Sequence, residues 1–150
     1  MSPVTRCGLA RFRPVGPGSR VALVAPASPF SREDFDAGLR ELERLEFVPV
    51  YDDRVFDRQA IVAGPAVVRA AALREYWDRP DIAAILAVRG GYGSVETLPL
   101  LAADPIRCSR AAFIGYSDVT SIHTYLTCHV GVASVHGPMV EARLAAGRAG

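Results

Sequence analysis

Ala112-Phe113-Ile114-Gly115-Tyr116-Ser117-Asp118-Val119-Thr120 is a short apolar run that ends in a glycine, followed by a serine and the start of a helix-type pattern. Strands this short and this apolar are buried on both faces, as in parallel sheets covered by helices. A serine on the turn between such a strand and the next helix has an exposed hydroxyl with backbone N–H groups beside it. That is the setting of a nucleophile elbow. Gly115 fills the first small position of the G-x-S-x-G pattern, and Val119 stands at the second. The same residues also read as an ordinary helix start, with Ser117 as the cap.

Similar runs recur on both sides of this stretch. Arg20 to Pro26, Phe47 to Tyr51, Ile82 to Val88 and Val132 to Val135 read as further strands, with Ala111 to Gly115 the fourth in order. Between them, Ser31 caps a helix with Asp34 three residues on, and Phe35, Leu39, Leu42 and Leu45 recur at helical spacing. Asp52 to Gly64 is polar and irregular. Pro65 opens a helix that runs to Trp77 and stops before Pro80. A short helix spans Ser94 to Leu101, and another Asp118 to Val130. Strands alternating with helices predict an α/β fold: a doubly wound, mainly parallel sheet with helices on both faces, in a flavodoxin- or Rossmann-like three-layer arrangement. The domain covers residues 20–141, behind a flexible, arginine- and proline-containing leader over 1–19.

Ligands of such sheets sit in the crevice at the carboxyl ends of the strands. Ala27-Ser28, Arg89-Gly90-Gly91-Tyr92-Gly93 and Ser117 all lie at such ends. Three glycines in five residues let the backbone approach a ligand closely, and their N–H groups suit an oxyanion hole or an anion nest. The plainer reading is a tight strand-to-helix turn. A dinucleotide fingerprint is excluded, because the pattern from Gly91 ends on Glu96 where a small residue is required.

Composition narrows the chemistry. The net charge is +1 and no basic block follows the leader, which argues against nucleic acid as a partner. No apolar run is long enough to cross a membrane. All 17 basic residues are arginine, so Schiff-base chemistry and a P-loop lysine are excluded. Cys7, Cys108 and Cys128 are widely spaced, the pattern of reduced thiols in a cytoplasmic protein, and no metal is implied. A serine nucleophile needs a base. His123 and His129 lie on the helix after the elbow, with side chains directed along it. His136 ends the fifth strand, where it reads equally as a residue approaching the crevice and as a hydrogen-bonded structural histidine, so no histidine here stands out as the base.

Val21 to Ser28, Arg89-Gly90-Gly91-Tyr92-Gly93, Gly115-Tyr116-Ser117-Asp118-Val119-Thr120 and His136-Gly137-Pro138, in this order and spacing, resemble the N-terminal domain of the LD-carboxypeptidases, serine peptidases of the S66 type. The resemblance runs from Arg20 to Glu141. It implies a cytoplasmic, cofactor-free enzyme that cuts the amide between an L- and a D-residue in murein tetrapeptides during cell-wall recycling. Family members are often homodimers. Ser117 would be the nucleophile, and the N–H groups of Asp118 and Gly91 the oxyanion hole, with Gly90 and Tyr92 touching substrate. The triad's glutamate and histidine would come from a C-terminal domain, to which residues 142–150 begin the link. The chain alone is then expected to be inactive. Three other readings differ in outcome: a non-catalytic flavodoxin-like module that binds a small anion, a microcin-type peptide-nucleotide hydrolase, and an esterase with His136 as base.

Overall fold

The computed structural model describes residues 9–147; Cys7, the first eight residues of the leader and the last three of the chain lie outside the described residues. Strands β1 (Arg20–Val24), β2 (Val48–Val50), β3 (Ile82–Ala87), β4 (Ala112–Gly115) and β5 (Val135–His136) form one sheet in the order β2-β1-β3-β4-β5. Every pairing is parallel. Helices α1 (Arg32–Arg44), α2 (Ala66–Asp78), α3 (Ala103–Cys108) and α4 (Thr120–Thr124) lie between the strands in the chain.

The alternation of side chains along each strand divides the core in two. Val21, Leu23, Ala84 and Leu86 face the side covered by Phe35 and Leu42 of α1. Ala22, Val24, Ile85 and Phe113 face the other, covered by Leu73 and Trp77 of α2, Ile106 of α3 and Ile122 of α4. Side chains such as Phe35, Leu23, Ile85 and Phe113 are almost wholly removed from water, each contributing about 1.5–3 kcal/mol. This is the doubly wound three-layer sheet expected. At the start of α1, the Ser31 hydroxyl accepts the Asp34 N–H at 3.3 Å, as the capping pattern required.

Four local expectations differ. Helix α3 is not foreshadowed in the sequence, because six residues with an internal proline show no helical periodicity. Asp52–Gly64 is not wholly irregular: Asp52 caps a 3₁₀ turn over Asp53–Phe56 by accepting the Arg54 N–H at 3.0 Å. The helix after the elbow is three segments, a 3₁₀ turn (Ser117–Val119), α4, and a π-helical stretch (Tyr125–Val130). Strand β5 begins at Val135 instead of Val132, because Gly131 turns left-handed and Val132 bridges to Ala10.

Part of the expected flexible leader is also held in place. Ala10 N–H donates to Gly131 at 2.9 Å, Arg13 N–H to Arg110 at 2.9 Å, and the Arg13 guanidinium to the Ile82 carbonyl. At the other end, Val140–Leu144 forms a π-helical turn against α1. Gly38 admits it: a Cβ there would stand 2.4 Å from Val140 Cγ1 and 2.7 Å from its carbonyl oxygen.

Candidate functional site

The sheet order reverses between β1 and β3, the switch point at which open α/β sheets place their ligand crevice beyond the carboxyl ends of the strands. The Val88 N–H reaches the Val24 carbonyl at 2.8 Å, keeping the two strands together up to its edge. Beyond that bond the Ser28 loop and the glycine loop meet. Ser28 N–H donates to the Gly90 carbonyl at 3.1 Å, and the Ser28 hydroxyl accepts the Tyr92 N–H at 3.0 Å while donating to Ile61 at 2.8 Å. Gly91 has φ +101°, and a Cβ there would lie 2.4 Å from Ser28 Oγ, so glycine is needed on both counts.

Ser117 stands at the end of β4 with φ +65°. Left-handed backbone costs a residue with a side chain roughly 1–2 kcal/mol, so surrounding structure must impose it. Glu46 and Ala60, both in loops, are the other non-glycine residues that share it among those described. The imposition at Ser117 is visible. Tyr116 before it is extended, and the 3₁₀ turn begins at once behind it. Gly115 lets this turn close, since a Cβ there would meet Val119 Cγ2 at 2.7 Å. Val119, wholly buried, thus fills the space that a second small residue leaves open in the G-x-S-x-G pattern. Ser117 makes no capping hydrogen bond, unlike Ser31 and Asp52, which sets aside its reading as a helix cap.

The structure brings four of the five candidate residues around one point. Ser117 is exposed, and Gly90 packs directly beneath it: a Cβ on Gly90 would be 3.2 Å from Ser117 Oγ. Gly91 and Asp118 follow these two on their respective loops. Tyr92, 55% exposed, stands on the rim. The loops are tied by residues the sequence did not single out. Ser94, fully buried, binds Asp118, and Arg69, 4% exposed, reaches into three loops. Its guanidinium donates to the carbonyls of Gly64 (2.9 Å), Pro26 (2.7 Å) and Gly93 (2.7 Å), and to the Glu96 carboxylate. An arginine inside the otherwise apolar run of α2 was the one signal available.

Among the described residues, no histidine is hydrogen-bonded to Ser117. His123 Nε2 is 2.9 Å from the Gly115 carbonyl, an acceptor only, so this nitrogen carries the proton and Nδ1 accepts from the Ser134 hydroxyl at 2.7 Å. Burial pushes His123 below the ordinary histidine value, against the opposing effect of the Gly115 bond, with nearby His136 adding to the lowering. It is therefore a neutral imidazole with both nitrogens engaged. His129 stacks on Tyr125 at 5.1 Å. His136 lies beside Tyr116, their rings 6.1 Å apart, and with Gly137, Pro138 and Arg143 they line an open depression of about 470 Å³. No group of three metal-ligating side chains occurs among the described residues.

Strand order and pairing together define a flavodoxin-like α/β domain, with a left-handed serine at the end of β4. The family model of the LD-carboxypeptidase N-terminal domain matches residues 21–137, and the chain belongs to that family. It is 37% identical over 135 residues to a putative carboxypeptidase of Streptomyces coelicolor, covering 87% of this chain and 44% of that one. It is 36% identical over 122 residues to the murein tetrapeptide carboxypeptidase of Pseudomonas aeruginosa, covering 80% and 39%. The microcin C7 self-immunity protein MccF, solved with aspartyl sulfamoyl adenosine, superposes with a TM-score of 0.85 at 26% identity, over 91% of this chain and 41% of that one. The chain thus spans about two-fifths of the length of these relatives.

Proposed function

We propose that this chain is the nucleophile-bearing domain of a cytoplasmic serine carboxypeptidase that removes a D-residue from murein tetrapeptides by cutting an L,D-amide. The observation that carries the reading is Ser117: exposed, left-handed at φ +65°, at the carboxyl end of β4 and in contact with the glycine loop. An elbow holds its serine so because the hydroxyl must stand clear of the sheet while backbone N–H groups converge beside it. Kinship to the Pseudomonas aeruginosa enzyme supports the choice of substrate.

The chemistry follows from the placement. Ser117 Oγ attacks the amide carbonyl carbon, a base takes its proton, and the carbonyl oxygen becomes an anion. The N–H groups of Asp118 and Gly91 receive that charge, and collapse of the intermediate expels the D-residue's amine after protonation. Water then hydrolyses the acyl-serine ester. His123 is not the base, because both of its nitrogens are engaged. The base and its orienting acid belong to the C-terminal half of the complete enzyme, as the resemblance implies. Without them, the rate falls by about four to six orders of magnitude.

The test is fluorophosphonate labelling read by intact mass, on this chain alone and on this chain joined to the C-terminal half of the Pseudomonas aeruginosa enzyme. Labelling of Ser117 in the joined protein only, with release of D-residue from murein tetrapeptide, is the expected result. A joined protein that melts cooperatively yet stays unlabelled would overturn the nucleophile assignment. Labelling of the chain alone, abolished in His136→Asn, would place the base on β5 instead.

A further inference from the structure

Ser94 is wholly buried, and both its N–H and its hydroxyl are used on the residues that follow Ser117. Its N–H donates to the Asp118 carboxylate at 2.9 Å. Its hydroxyl donates to the Asp118 carbonyl at 2.8 Å. With that proton committed, the 2.7 Å contact to Ser121 Oγ is one in which Ser121 donates. The Ser94 carbonyl accepts from the Thr97 hydroxyl at 2.7 Å, which fixes the residue from behind. One residue of the glycine loop's end therefore holds the residue after Ser117 by its side chain and its main chain at once.

The other end of the same loop is also seated, where Gly90 packs against Ser117. Residues 90–94 and 117–121 thus form two strips joined at both ends, with Gly91 on one and Asp118 on the other. We propose that the Ser94–Asp118 pair is a positioning device that sets the separation between the two oxyanion N–H donors, and that the Asp118 carboxylate acts through this bond rather than on substrate. This rests on the nucleophile reading of Ser117. The physical need is plain: donors on two separate loops act together only if the distance between them is fixed before the oxyanion forms. An error near 1 Å in such a site costs about 100-fold in rate.

The joined protein described above provides the test, with Ser94→Ala, Asp118→Ala and Asp118→Asn. Asparagine keeps an oxygen that accepts the Ser94 N–H. Expected are a fall of roughly 10–100-fold in kcat and in labelling rate for Ser94→Ala and Asp118→Ala, with KM within about twofold of the parent. Asp118→Asn is expected to recover to within about threefold of the parent. Three results overturn the proposal: parental rates in both alanine variants, losses that only track the unfolded fraction in a thermal melt, or an asparagine variant as slow as alanine. An unsubstituted joined protein that folds but is never labelled would instead sink the nucleophile reading, and this inference with it.

Discussion

Consider Arg69→Met. The guanidinium is the common donor to the carbonyls of Gly64, Pro26 and Gly93, one from each of the loops that build the crevice rim. Methionine fills much of the same volume and donates nothing, so the Gly64 and Pro26 carbonyls lose their partner together, while that of Gly93 keeps the Glu96 N–H at 3.1 Å. Each buried acceptor left unpaired costs about 1–3 kcal/mol. Water entering between the loops lowers the sum, and so does release from the cost of burying a cation. The net expected loss is about 4 kcal/mol, within the range of two buried carbonyls left unpaired. A domain of this size loses about 2–4 °C of Tm per kcal/mol, which gives a drop of about 8–16 °C. Glu96 makes a useful contrast. Its side chain is 42% exposed, so Glu96→Gln should cost under about 1 kcal/mol although it breaks the same ion pair. Thermal unfolding followed by far-UV circular dichroism compares the two. An Arg69→Met drop below about 4 °C, or one matched by Glu96→Gln, would refute the carbonyl tie as the source of the stability.

Two further outcomes are expected. Gly90→Ala places a methyl 3.0 Å from Ser117 Cβ and 3.2 Å from its hydroxyl oxygen; the joined protein should lose at least about tenfold in fluorophosphonate labelling, a fall a 1 Å displacement readily produces, and an unchanged labelling rate would show that the loop yields freely. His123 governs the acid side of stability near neutrality. Its folded value lies below the ordinary 6.5, so the unfolded chain binds the proton more readily. Stability is therefore fully present above that value and declines as the pH falls through it towards the folded value. Between about pH 7.5 and about pH 5.5 the Tm should fall, and His123→Gln should flatten the slope. Asp52 and Glu75, both held low by hydrogen bonds from Arg54, lose their support only below their ordinary 3.8 and 4.5, outside this window. An equal slope in His123→Gln would assign the effect elsewhere.

Much of this architecture was legible because buried parallel strands announce themselves: Val21 to Val24, Ile82 to Val88 and Ala112 to Gly115 are unbroken apolar runs; β3 and β4 fall within them, and β1 starts one residue earlier, at Arg20. The second strand was read about a residue too long at each end, since only Val48–Val50 pairs. The edge was harder. Val132 has the composition of a strand, but a tertiary bridge to Ala10 takes it out of the sheet, and no local pattern encodes a partner 122 positions away. In the candidate site, the Ser117 turn and the glycine loop were visible as spacing. The ties between them were not, because a lone buried serine or arginine looks like any other until the fold supplies its partners. Ser94 carries no signal in its neighbours, whereas Arg69, flanked by Val67, Val68, Ala70 and Ala71, at least stands out as a charge where the helix is otherwise apolar.

The parallel order of the sheet also has a consequence in time. Parallel neighbours cannot be joined by a tight turn, so each pairing waits for a whole crossover to be made. The crevice needs β1, β3 and β4 side by side, which brings together residues as far apart as Ser28 and Ser117. Loop-closure entropy makes such assembly slow, and the chain must hold Leu23, Ile85 and Phe113 in water until late in the process. Ser117 meets the glycine loop only once β3 and β4 are paired, since Gly90 follows one and Ser117 the other. The arrangement around Ser117 is thus a mark of completion: a half-folded chain, whether newly synthesised or partly unfolded, has the serine but not its surroundings.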